Sequence, residues 1–298
     1  MYTIGTDIEV FLQKDGEFIS AIPYTEGTKN KPVPLPSEGF VSYDNVALEF
    51  GVPPATNGPG LVNYIGATLK DLYDYLPEGI EMAFVPSADF PVTELEHEEA
   101  KRFGCSPDFN AWTNEVNKID SCEAAVSVFR TCGAHVHVRD TENSEYPFLS
   151  TRTGKQHMCM AMDIMLGIPC TLLDNSPAAI NRRQLYGKAG CYRETPGGME
   201  YRSLSNFWCQ SPSLVQLIVG LTEDALRLVK EDKLGHLIGL LGGPQRIQEL
   251  INEGNEFLAC DLVASTIMDY MSPETAELFM LCASNQEIVN IKKEWGII

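Results

Sequence analysis

Two-residue alternation dominates the early part of the chain. In Ile4 to Leu12, the apolar residues Ile4, Ile8, Val10 and Leu12 fall on one face and Asp7 and Glu9 on the other, as in a half-buried strand. Asp15-Gly16 is a hairpin turn signal, and Glu17 to Ile22 is the next predicted strand. Gly39 to Val52 is again extended, with Val46, Leu48, Phe50 and Val52 opposite Ala47, Glu49 and Gly51. Ile80 to Pro86 is a further predicted strand. Between Ala124 and Arg139, two apolar segments flank Thr131-Cys132-Gly133. The second sets Ala134, Val136 and Val138 against His135, His137 and Arg139. A short strand, Met199 to Leu204, puts Glu200 and Arg202 on one side.

The helical period governs Leu61 to Leu76, Gly154 to Leu166, Pro212 to about Lys230 and nearly all of Gly243 to Trp295. The acidic stretch Glu94 to Glu99 is expected to be a solvated helix face, and Asn181 to Gly198 a segment rich in glycine and arginine. This order predicts an α+β fold, a largely antiparallel sheet followed by helices. No repeat or composition break divides the chain, so residues 1–298 are expected to form one domain, with 240–298 as a helical C-terminal extension.

Four strands thus carry one chemical face each. If they share a sheet, that face becomes a cup lined by Asp7, Glu9, Glu49, His135, His137, Glu200 and Arg202. Carboxylate oxygens suit Mg²⁺ or Mn²⁺, imidazole can ligate metal or donate to phosphate, and guanidinium matches phosphate oxygens by its planar fork. Any one such strand is equally the wet side of an ordinary antiparallel sheet. Four together, rich in acids and histidines and free of lysine, point to a site for a metal-nucleotide.

Composition narrows the partners. With 22 Lys+Arg against 41 Asp+Glu the net charge is −19, which opposes long-range attraction to nucleic acid or anionic lipid. Divalent metal and a few arginines can still reverse the sign locally. The nine cysteines include no C-x-x-C pair, as expected of reduced thiols in the cytoplasm. Neither a signal peptide nor a membrane-spanning run is predicted.

The chain resembles the glutamine synthetase and glutamate-cysteine ligase superfamily, and most closely its phage-type carboxylate-amine ligases, over roughly residues 3 to 230. The resemblance is carried by Gly5-Thr6-Asp7-Ile8-Glu9, Asp44-Asn45 with Leu48-Glu49-Phe50, Gly104-Cys105-Ser106-Pro107-Asp108 and Gly133-Ala134-His135-Val136-His137-Val138. It continues through Arg182 to Gly190, Tyr192-Arg193 and Glu200 to Trp208. It implies a glutamine synthetase-like catalytic domain, a curved and mainly antiparallel sheet with helices on its convex face and Mg²⁺ and ATP on the concave one. Asp7, Glu9, Glu49 and Glu200 would hold metal. His135 would contact nucleotide phosphate with His137 beside it, and Arg202 and Arg193 would stabilise the transferred phosphoryl group or the substrate carboxylate. If the protein is phage-encoded, the compartment is the host cytoplasm.

The implied reaction joins a small-molecule or peptide carboxylate to an amine through an acyl phosphate. Arg182, Arg183 and Lys188 fit an anion-binding loop and equally a polar connection. Ser106-Pro107-Asp108 is ordinary turn chemistry, with Asp108 and Asn110 as alternative substrate-loop residues. His157 and His236, without a partner pattern, are expected to be structural. A metal-dependent hydrolase built on His-x-His and carboxylates, and a non-catalytic binding protein on the same fold, remain open. Homo-oligomers fit either.

Overall fold

The computed structural model describes residues 1–101, 108–117, 127–142, 144–285 and 290–298. Of the Gly104 to Asp108 motif only Asp108 is described, and the predicted apolar segment from Ala124 is described only from residue 127. Extended segments form β1 (Tyr2–Lys14), β2 (Glu17–Ile19), β3 (Val33–Pro34), β4 (Phe40–Asp44), β5 (Ala47–Gly51) and β6 (Ile80–Ala83). They continue as β7 (Ser87–Asp89), β8 (Phe109–Asn110), β9 (Phe129–Thr131), β10 (Ala134–Asp140), β11 (Cys191–Thr195) and β12 (Gly198–Tyr201).

The main sheet runs β3-β4-β5-β1-β10-β12-β11-β8, and β2 and β6 pair with the far half of β1. Every pairing among the described residues is antiparallel. The predicted α+β class with a mainly antiparallel sheet is what the chain forms. The single extended segment expected over Gly39 to Val52 is instead a hairpin, because Asn45 takes a left-handed backbone (φ 57°) between β4 and β5. Asn45 anchors that turn by donating to the Ala100 carbonyl (2.8 Å) and accepting from Arg130 Nε (2.9 Å).

Helices follow their capping signals. α1 (Gly58–Tyr75) starts at Asn57, whose side chain accepts from the Gly60 N–H, and buries Leu61, Ile65, Leu69 and Leu72 along one stripe. α2 (Arg152–Met162) runs into a π-helical turn over Asp163–Gly167, so the helix predicted from Gly154 to Leu166 is present but widened at its end. α3 (Pro177–Leu185) takes up Arg182 and Arg183, which were expected in a loop. α4 (Pro212–Lys230) is capped by Ser211 and buries ten residues, among them Val215, Ile218 and Leu221. The C-terminal region is helical, as expected: α5 (Leu234–Leu240), α6 (Pro244–Glu253), α7 (Glu256–Ser265), α8 (Pro273–Ser284) and α9 (Ile291–Glu294). No helix among the described residues is long and apolar enough to cross a membrane.

The even-numbered side of β1, with Ile4, Ile8, Val10 and Leu12, joins Leu48, Phe50, Val136, Val138, Met199 and Tyr201 in one buried core beneath α1, α2 and α4. Trp208, wholly buried, ties that layer to the sheet by donating from Nε1 to the Ala134 carbonyl (3.2 Å). On the other side a smaller cluster of Phe11, Val46, Phe90, Leu95 and Cys132 closes one end of the polar face. Phe11 and Phe90 meet edge to face at 5.0 Å between ring centroids. The seven described cysteines are free thiols.

Candidate active site

Strand register decides which polar side chains meet, because directly paired residues in an antiparallel sheet share a face. Glu9 pairs with Glu49, and Glu49 with Ser42 on β4. Asp7 pairs with His135, and Gly5 with His137. His137 pairs with Glu200, and Glu200 with Arg193. All these residues therefore occupy one side of one sheet, and Arg202 follows directly at the end of β12. The four-strand cup inferred from alternation is present, with β11 as a fifth contributor.

The row is closely bonded. Asp7 Oδ1 lies 2.9 Å from His135 Nδ1 and 3.2 Å from His137 Nε2. Glu200 grips Arg202 Nη1 through one carboxylate oxygen and receives Arg193 Nη1 on the other at 3.3 Å. Arg202 Nε stands 2.9 Å from Asp108, and Arg193 Nη2 stands 3.7 Å from the same oxygen. Glu9 accepts from the Gly133 N–H at 2.7 Å, and Asn206 holds the Glu9 backbone carbonyl at 2.7 Å.

Crowding of acids sets their protonation. Burial pushes Glu9 up to about 8, with Asp44 and Asp7 adding repulsion. Burial likewise lifts Glu49 to about 8, helped by Asp7 and Glu9, and Glu200 to about 7, helped by Asp7. Burial raises Asp7 too, but His135 and His137 outweigh it and hold the carboxyl well below the usual range. Burial and the Arg202 charge take His135 down to about 3, so its imidazole is neutral. Burial opposes the His137 cation, yet Asp7 more than offsets it and His137 is raised.

Asp7 Oδ1, at 2.9 Å, calls for a proton on His135 Nδ1, while Arg202 Nη1, 3.3 Å from the same nitrogen, calls for its lone pair; the shorter contact to an ionised carboxylate favours Nδ1–H, which leaves the lone pair on Nε2. That nitrogen is buried and has no hydrogen-bond partner. It faces Gly133, where an added Cβ would come within 2.8 Å of both His135 Nε2 and Arg182 Nη2. His137, partly exposed and held toward its cationic form, is better placed than His135 to donate to an anion.

The other predicted residues divide. Arg182 is buried, donates to the Ser203 carbonyl at 2.7 Å and lies over the Tyr186 ring at 5.8 Å. The Arg202 guanidinium lies over the same ring at 5.3 Å. Arg183 turns elsewhere, donating to the Asp174 carbonyl at 2.5 Å and lying 3.8 Å from its carboxylate. Lys188 is exposed. The anion-loop expectation thus places only Arg182 next to the cup; the turn of about 100° between successive helical residues sends its neighbour to Asp174 instead. His157 and His236 are exposed on helices and take no part in the row.

Three contributors were missed or underrated. Asp44 shares the face through its pairing with Ala47 and is the strongest charged neighbour raising Glu9; its ion pair with Lys29 spans 3.7 Å. Asp108, expected as turn chemistry, is buried against Arg202 and Arg193. Tyr186 supplies the ring under two guanidiniums. All three stood in motifs quoted for the resemblance, so a signal existed, though nothing in the alternation marks Tyr186.

The donor set fits a hard divalent cation. One ligand atom each from Asp7, His137 and Glu200 lie within 4.8 Å of one another, close enough for one ion to reach all three. Such a face, with carboxylates at its centre and two arginines at its edge, offers both donor types that a metal-bound anion calls for. Residues 126–232 match the family described as Phage phiEco32-like COOH.NH2 ligase-type 2, which bears out the resemblance read from the motifs. The matched stretch carries His135, His137, Arg182, Arg193, Glu200 and Arg202, while Asp7, Glu9 and Glu49 lie before it.

Among solved structures, the chain is similar to a bifunctional glutathione synthetase from Pasteurella multocida, at 9% identity and a TM-score of 0.41, over 95% of this chain and 51% of that one. It is also similar to a glutamine synthase homolog at 12% identity and a TM-score of 0.40, over 95% of this chain and 70% of that one. The chain therefore spans about half the length of the glutathione synthetase. No curated protein matches it.

Proposed function

We propose that this protein is an ATP- and Mg²⁺-dependent ligase that forms an amide bond between a carboxylate and an amine. The observation that carries this reading is the cross-strand row in which the carboxylates of Asp7 and Glu200, donors of the metal type, flank His137 with Arg193 and Arg202 against its end, donors of the anion type. Residues 126–232, with their likeness to carboxylate-amine ligases, support it.

Asp7, Glu49 and Glu200, with Glu9 behind them, would hold Mg²⁺ or Mn²⁺, which when bound neutralises phosphate charge and orients the nucleotide. Arg202 and Arg193 would face the phosphoryl group in transfer or the substrate carboxylate, and Asp108 keeps their guanidiniums oriented. His137 would donate to a phosphate oxygen. His135 would orient Asp7 through Nδ1 and present Nε2 to the floor beside Gly133. Arg182 would add positive potential from below, while Arg183 and Lys188 have no assigned part. Transfer of the ATP γ-phosphoryl to the substrate carboxylate releases ADP and gives an acyl phosphate; the amine then attacks its carbonyl and expels phosphate. Neither step needs a nucleophilic side chain from this chain, so positioning and electrostatics carry the rate. The substrates would be a small-molecule or peptide acid and an amine, met in the cytoplasm.

Thermal unfolding with Mg-ATP, Mg²⁺ alone and ATP alone, on the native protein and a Glu49→Ala variant, tests the reading. A Mg²⁺-dependent ATP shift that the variant loses supports it and justifies screening acid and amine pairs for ADP release. Turnover of a substrate without nucleotide would favour the metal-dependent hydrolase, and no shift in any condition a non-catalytic protein.

A further inference from the structure

Behind the cup, on the helix side of the sheet, one wholly buried carboxylate takes part in no reaction step. Asp163 opens the π-helical turn that ends α2, and such widened turns recur at functional sites. Its Oδ1 accepts from the Tyr201 hydroxyl at 2.7 Å and its Oδ2 from the Trp112 indole N–H at 2.5 Å. The Gly190 backbone N–H also reaches it.

Each partner leads to the site by a short route. Tyr201 sits on β12 between Glu200 and Arg202, so fixing its ring on the helix side fixes the strand that aims those two into the cup. Trp112 belongs to the turn after β8. There Asn110 Oδ1 accepts from the Trp112 N–H at 2.8 Å, and the Ala111 N–H donates to the Gly190 carbonyl at 2.9 Å. Asp108, the shared carboxylate of Arg202 and Arg193, stands just before β8 on the same segment, its backbone carbonyl held by the Asn117 N–H at 2.8 Å. Glycine is required at 190, with φ 79°, because a Cβ there would lie 2.6 Å from Trp112 Cδ1 and 2.7 Å from Asn110 Oδ1.

We infer that Asp163 is a positioning residue which, through Trp112 and Tyr201, locks the β8 segment that Asp108 leads into and β12 together and so sets the Arg193–Arg202 pair for recognising a terminal phosphoryl group. The inference rests on the ligase reading and deepens it. A buried carboxylate that served stability alone would be indifferent to what occupies the arginine end of the cup.

The test is the ratio of Mg-ATP to Mg-ADP affinity, measured by calorimetry on the full chain for the native protein, Trp112→Phe, Tyr201→Phe and Asp163→Asn. Expected is a cooperative unfolding transition at a lowered midpoint for Trp112→Phe and Tyr201→Phe, Mg-ADP affinity within about twofold of native, and a roughly tenfold loss in the ATP-to-ADP ratio. A tenfold change corresponds to about 1.4 kcal/mol. Equal losses for both nucleotides, or an unchanged ratio in the folded variants, overturn the inference while leaving the ligase reading in place. If the native protein binds neither nucleotide, the ligase reading falls and this inference with it. Should Asp163→Asn fail to fold, the native indole N–H resonance of Trp112, assigned by Trp112→Phe, decides: it should move on adding Mg-ATP and stay within line width on adding Mg-ADP. No difference between the two nucleotides overturns the inference.

Discussion

Replacing Glu49 by glutamine should stabilise the protein without metal and weaken its response to metal, two effects of opposite sign from one substitution. Glu49 and Glu9 are direct cross-strand partners, with Asp7 and Asp44 on the same face. Two charges about 5.5 Å apart repel by about 3 kcal/mol at an effective dielectric of ~20. Lys29 beside Asp44 and access of solvent to the rim reduce this, so the gain expected at pH 8.5 is about 1–2 kcal/mol, or roughly 2–5 °C in unfolding midpoint. The sign with pH follows from the raised carboxyls. Glu9 and Glu49 bind protons up to about 8 in the folded chain against an ordinary value of 4.5, so the native state gains from protonation at low pH and loses that advantage as pH rises toward 8. The stabilisation by Glu49→Gln should accordingly shrink at pH 6, where the native residue is already neutral. Calorimetric unfolding at pH 6 and 8.5, each with EDTA and with saturating Mg²⁺, measures all four values. A variant less stable than native in EDTA at pH 8.5 would refute the idea that these carboxylates repel one another, and an undiminished Mg²⁺ shift would remove Glu49 from the cation site.

Mg²⁺ affinity should rise between pH 6 and 8.5, because an ion entering the cup displaces protons from Glu9, Glu49 and Glu200; titration calorimetry in two buffers of different ionisation enthalpy should register that release, and pH-independent binding would contradict it. Gly133→Ala should weaken Mg-ATP binding at least tenfold, since the new methyl must push aside His135 Nε2 and Arg182 Nη2, at a stability cost of about 1–3 kcal/mol; unaltered binding by calorimetry would mean that this floor is not used. Asn45→Ala should cost about 2–3 kcal/mol in urea unfolding, from left-handed strain plus the lost bonds to Ala100 and Arg130, and Asn45→Gly should recover only the backbone share.

The cup was legible in the sequence because β1, β5, β10 and β12 are each flanked on one side only by apolar residues, and alternation then fixes the direction of Asp7, Glu9, Glu49, His135, His137 and Glu200 without knowledge of their neighbours. What alternation could not supply was register. Pairing Asp7 with His135 rather than with Val136 is decided by long-range backbone bonds, such as that from the Glu9 N–H to the Gly133 carbonyl, which no local pattern encodes. Helical phase was lost at Arg182 and Arg183, where glycines nearby suggested a loop while Ser176 and Pro177 begin a helix that turns the two arginines to different partners. Asp108 fails differently. Its tripeptide context is that of a turn, yet Asp108 leads into β8 and the turn beyond it, which Trp112 pins to a carboxylate fifty-one residues away in sequence, and so Asp108 is delivered to Arg202. A polar residue whose partners come from the same strand pair is thus readable from its own segment. One whose partners come from a separately anchored turn becomes readable only when the anchor, here Asp163, is seen in place, and for that reason the arginine end of the site was harder to foresee than its row of paired carboxylates and histidines.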